Sequence, residues 1–142
     1  MKLAAFSKKN IWCGIIAGLI AGVVVGFILI RMGMMAGMGA WIGMPNPLAG
    51  YIVHLIYNAI TGVIFALIFR KVAITFFSST IWGIVYGIIL WILLCLTLMP
   101  LMLGMPVSWG ATAMMNMMPM LVIDLVFGLV LGISYHWMRS RK

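Results

Sequence analysis

The chain has 142 residues, of which 66% are hydrophobic and only 7% charged. Soluble domains run at about 45–50% apolar and about 25% charged, so a water-facing surface is excluded for most of this chain and lipid is its expected solvent. The formal net charge of +8 does not indicate nucleic acid, because no basic face is interleaved with exposed aromatics.

A bilayer core of about 30 Å is crossed by roughly 20 apolar residues of helix. The first such run, Ile11–Ile30, follows Lys2, Lys8 and Lys9. It starts like a signal peptide, but it is too long for an h-region and no A-x-A-type site follows, so it reads as a retained helix. Gly14, Gly18, Gly22 and Gly26 stand on one face at i, i+4 spacing. Small residues on one stripe let helix backbones approach closely in lipid. A bundle of four helices does not need so long a seam on its first helix, and the reading therefore leans towards self-association. Cys13, near the start of this run, and Cys95, deep in the third, differ in position and are not expected to pair.

The second run, Leu48–Phe69, begins after Pro45 and Pro47 and ends at Arg70 and Lys71. It carries His54, Asn58 and Thr61, with Ala59 and Gly62 as small residues. The third, Thr80–Leu103, carries Gly83 and Gly87; Pro100 should kink or end it near its outer end, and Pro106 lies beyond. The fourth, Met118–Met138, has Pro119 in its first turn, where proline is tolerated, then Asp124, Gly128 and Gly132. His136, Trp137 and Arg139 look like an interfacial anchor, and Arg141 and Lys142 follow.

Eight of the nine basic residues, all but Arg31, fall in segments that an even number of crossings places on one side. The positive-inside pattern puts that side, with both termini, in the cytoplasm of a cell (inner) membrane. The fold class is an all-α membrane protein, a four-transmembrane-helix bundle forming a single integral membrane domain.

At an offset of 70 residues, Trp12 meets Trp82, Met32 meets Met102, Met44 meets Met114, Asn46 meets Asn116 and Gly62 meets Gly132. This order of landmarks reads as two tandem helical hairpins, about 11–69 and 80–138, inserted the same way round and related by an approximate two-fold axis along the membrane normal. The same offset aligns Asp124, the only acidic residue, with His54. Intramembrane charges face a partner, a cavity or a functional path. His54, Asn58 and Asp124 therefore form the candidate polar site, either a hydrogen bond locking the hairpins in register or a proton or cation site. His54 and His136 stand at different depths and cannot share one haem iron.

Thirteen of fifteen methionines lie between Met32 and Met44 or between Met99 and Met120. Met34, Met35, Met38, Met114, Met117 and Met118 are the candidate metal set, since thioethers suit Cu(I). Against this stands their use as flexible packing in short interfacial helices; no cofactor is otherwise expected. Met114 with Met118, followed by Gly128 with Gly132, is similar to the Met-x3-Met and Gly-x3-Gly helices of three-helix copper-import channels, but here both pairs share one helix whereas that family splits them across a turn. The glycine-laddered first helix, His-bearing second helix and Gly-x-x-x-Gly last helix together resemble uncharacterised families of small four-helix prokaryotic membrane proteins. That resemblance implies a fold and a membrane location only.

An enzyme is not expected: there is no carboxylate pair, metal cluster, phosphate-cradling loop or Ser–His–Asp set. Three readings remain, in order. The first is a structural or accessory subunit partnered by itself or by larger membrane proteins in the bilayer. The second is a small oligomeric transporter or channel with its His/Asp site on the path, and the third an outward-facing Cu(I) binder.

Overall fold

A computed structural model describes residues 7–102 and 104–141; Lys2, Leu103 and Lys142, used in the sequence reading, lie outside the described residues. The described residues are helices joined by turns, without strands. Four helices are long and apolar enough to cross a membrane: α1 (Lys8–Arg31), α3 (Pro47–Phe69), α4 (Phe76–Met102) and α6 (Met118–Ser140). Two short helices, α2 (Met35–Ala40) and α5 (Ala111–Asn116), join them at the end of the bundle away from the chain termini. This is a multi-pass integral membrane protein with a four-helix bundle fold.

Local chemistry sets the helix ends. Asn46 caps α3, its side chain accepting from the Ala49 N–H at 2.9 Å, and Pro47 follows in the first turn, where its missing donor and fixed φ cost nothing. Thr75 and Ser78 form a reciprocal capping box at the start of α4, satisfying two donors that an apolar terminus would leave open. Pro100 neither ends nor abruptly breaks α4. The helix instead widens to a π-helix over Trp91–Leu98 just before the proline and continues to Met102. An α-helical register would press the proline ring against the carbonyl of residue i−4, and the looser i→i+5 spacing moves that conflict away.

The glycine ladder is used inside the chain. All four glycines of α1 are buried against α3: a Cβ on Gly14 would come within 2.8 Å of Ala66 Cβ, and one on Gly22 within 2.9 Å of Asn58 Cβ. One on Gly26 would meet the Tyr51 ring at 2.8 Å. The seam read as leaning towards self-association is thus consumed by α3, whose Gly62 in turn abuts Gly18. The same kind of approach joins α4 to α6, with Gly83 and Gly87 against Gly128 and Gly132.

The two seams share a register that the sequence offset does not give. Gly18 faces the Asn58 carbonyl as Gly87 faces that of Asp124, and Gly62 sits on Gly14 and Gly18 as Gly128 sits on Gly83 and Gly87. By contact, the counterpart of Asp124 is therefore Asn58, one helical turn from His54.

Between the seams, α1 also packs on α6, whereas α3 and α4 touch mainly at the terminal end of the bundle. There Phe65 stacks against Tyr86 and Tyr135 at 5.4 Å each, and Phe69 meets Trp82 at 5.3 Å. Tyr86 donates its hydroxyl to the Thr61 carbonyl at 2.9 Å, so its polar tip is satisfied within the apolar core. Towards lipid, α3 shows Ile52, Ile56, Ile60, Ile64 and Ile68, one exposed isoleucine every fourth residue.

Candidate functional site

Away from that aromatic plug the helices diverge and enclose a cavity of about 170 Å³. α3 contributes His54, Tyr57 and Asn58; α4 contributes Leu94 and Cys95; α6 contributes Ile123 and Asp124. Val25 and Leu29 of α1 and Phe127 of α6 also line it. At the far end the cavity meets Met38 on α2, Trp41 and Met102, the last two exposed. The chamber is mostly apolar, with its polar groups gathered at one level.

Glycine makes room for the buried polar pair on α3. His54 and Asn58 are 3% and 2% exposed, lying under the α1 backbone where Gly22 and Gly26 have no side chains. The His54 imidazole is within 3.6 Å of where a Gly26 Cβ would stand. The ring Nε2 lies 2.9 Å from the Gly22 carbonyl oxygen and 3.0 Å from Asn58 Nδ2. A carbonyl can only accept, so Nε2 carries the proton and donates to Gly22. Asn58 donates Nδ2 to the His54 carbonyl at 2.7 Å, one turn back on its own helix. Thr61 donates to the Asn58 carbonyl at 3.0 Å.

Asp124 belongs to a different local network. Its Oδ2 accepts from the Cys95 thiol across 3.6 Å, a weak bond because sulfur is a poor donor. Cys95 sits in the π-helical stretch, so the same distortion that accommodates Pro100 shapes the wall holding this thiol. No cation stands within ion-pair distance of Asp124 among the described residues. His54 and Asp124 line one cavity but do not bond to each other; the register-locking hydrogen bond is not made, because His54 is turned to α1. Tyr57 also stands at this level, and its hydroxyl is buried without a hydrogen-bond partner among the described residues, costing about 1–3 kcal/mol of desolvation.

The candidate metal set is not brought together. Met35 is in the core at 1% exposure, Met34 packs on the core edge, and Met114 and Met118 are exposed. The Met117 carbonyl accepts from the Trp91 indole at 2.8 Å, joining α4 to the start of α6. Of the six, only Met38 lines the cavity. His136 stacks edge-on against Phe76 at 6.0 Å, at the opposite end of the bundle from His54. Arg139 donates to the carbonyls of Arg70 at 2.7 Å and Ala73 at 3.2 Å, and Arg141 lies 3.6 Å over the Trp137 ring.

Cys95 and Tyr57 were missed as site residues from the sequence. The signal for Cys95 was its position well inside the third run, facing the level of Asp124; Tyr57 lies one turn from both His54 and Thr61, but its direction depends on how α3 is rotated. Comparison of the chain with family models, with curated proteins and with solved structures finds no match in any of the three.

Proposed function

We propose that this protein is a small, non-enzymatic, cation-handling membrane protein, a channel or carrier whose path includes the cavity. The observation that carries this reading is the convergence of His54, Asn58, Cys95 and Asp124, from three spanning helices, on one chamber inside the bundle. A purely structural bundle has no use for a carboxyl group lining a cavity inside the hydrocarbon, where polar groups are costly unless they serve a path or a partner. The longest small-residue stripe, read as leaning towards self-association, is occupied within the chain.

Charge and size define the cargo. Asp124 is the chain's only acidic residue and no lysine or arginine among the described residues lines the chamber, so the field there favours a cation or a neutral solute over an anion. A volume of about 170 Å³ is well under the roughly 300–1,000 Å³ of pockets for drug-sized ligands. The positive-inside rule sets the chamber's mouth on the non-cytoplasmic side.

The test is flux in reconstituted vesicles. Wild-type protein should pass protons or a monovalent cation, read by an internal dye, and Asp124→Asn should reduce this to the level of empty vesicles while keeping the elution profile and helical content of the wild type. Equal flux through the two proteins would remove the reading. Co-purification of a stoichiometric membrane-protein partner from native membranes, with no flux, would restore the accessory subunit in its place.

A further inference from the structure

The outer half of the cavity is lined by sulfur. Met38 arrives from α2, Met99 and Met102 from the last turn of α4, and Met120 from the first turn of α6. Below them is the Cys95 thiol, 3.6 Å from Asp124 Oδ2. Five soft donors from three helices thus border one space, with a single carboxyl group at the lower end. We propose that this space binds a soft monovalent metal cation, Cu(I) or its analogue Ag(I), through Cys95 and the thioethers. The proposal rests on the cation-handling reading and names its substrate class.

The donor types decide between metals. Thiolate and thioether sulfur select Cu(I), whereas hard cations such as Na⁺, Mg²⁺ and Ca²⁺ need several oxygens. The lining offers one carboxyl group, and the Asn58 amide N–H is committed to the His54 carbonyl on its own helix. His54 itself is held by the Gly22 carbonyl and is left out of the ligand set. Methionine as simple filler would close the space, since its flexible side chain adapts to irregular gaps; here the thioethers surround a space that remains open.

Proton balance also fits. When Cys95 binds as thiolate, its S–H bond breaks, an S–metal bond forms, and the proton passes to Asp124 Oδ2, which already accepts from the thiol. One positive ion enters, no charge is created, and no oxidant or reductant is consumed.

Competition of purified full-length protein with bicinchoninate for Cu(I), under anaerobic reducing conditions, tests the site directly. The expected result is one Cu(I) per chain with sulfur neighbours in its X-ray absorption spectrum. Cys95→Ser, and separately the near-isosteric triple change Met38→Leu, Met102→Leu and Met120→Leu, should each weaken binding by at least the about tenfold typical of losing an outer partner of a metal ligand. The exposed pair Met114→Leu and Met115→Leu should leave binding unchanged. Absence of Cu(I) uptake, retention of affinity in both cavity variants, or an equal loss in the exposed pair would overturn the proposal. Proton or Na⁺ flux that depends on Asp124, without Cu(I) binding, removes the soft-metal site and leaves the cation path standing. Stoichiometric cavity-bound Cu(I) with no ion crossing the membrane does the reverse.

Discussion

At the scale of single residues, the missing side chains of α1 matter as much as the side chains present. Gly22 and Gly26 leave the slot in which His54 and Asn58 lie, and they expose the Gly22 carbonyl that orients the imidazole. Gly18 lets the Asn58 carbonyl and Gly62 approach its backbone. Gly18→Val should therefore cost about 3 kcal/mol, the upper end of the usual overpacking range, and lower the unfolding midpoint in detergent. Gly37→Ala is the matched control, because a Cβ there meets nothing within 4 Å and alanine favours helix by up to about 1 kcal/mol. Equal losses in the two variants would show that the ladder contributes helix flexibility rather than close packing.

At the scale of elements, two joints hold the bundle in shape. One is the π-helical stretch of α4, which carries the chain past Pro100 and places Trp91 to reach the Met117 carbonyl. The other is Arg139, whose guanidinium spans the carbonyls of Arg70 and Ala73 and so ties the end of α6 to the turn between α3 and α4. A cation at a helix C-terminus answers both the unpaired carbonyls and the helix dipole. Bonds to charged groups are worth about 1.5–3 kcal/mol each, so Arg139→Gln should destabilise by about 2 kcal/mol in thermal unfolding. Arg139→Lys should recover less than half of this, as an ammonium is more strongly hydrated than a guanidinium and gives up more on contacting the two carbonyls; full recovery would mean that charge alone is sufficient. The interfacial role read for Arg139 from its place beside Trp137 is thus joined by a specific capping contact.

At the scale of the whole molecule, the bundle is asymmetric along its axis. Aromatic rings fill the terminal end, and the cavity occupies the other. Lys9 donates to the Arg141 carbonyl at 2.9 Å, which brings the two ends of the described chain together. With the basic residues concentrated there, the positive-inside rule predicts the orientation. In a background lacking Cys13 and Cys95, a cysteine at Gly43 should react with an impermeant maleimide from outside intact cells, and one at Ser140 only after the membrane is opened. The opposite result would place the cavity mouth in the cytoplasm and with it the direction from which cargo enters.

The four spans were legible in the sequence because lipid imposes a length and a polarity on any helix that crosses it; Leu48–Phe69 and Pro47–Phe69 differ by one residue for that reason. That His54, Asn58 and Asp124 deserved notice was equally legible, since polar groups are rare where burial is costly. The sequence did not reveal how these residues are grouped. An offset of 70 residues paired His54 with Asp124, but the packing register pairs Asn58 with Asp124 and gives His54 to a backbone carbonyl on α1. Nor did it separate Met38, Met99, Met102 and Met120, which line the cavity, from Met114 and Met118, which do not. Hydrophobic patterning records whether a residue is buried in lipid or protein. Which neighbour it meets depends on the rotation and axial shift of each helix, and those are set by glycine contacts between helices far apart in the chain.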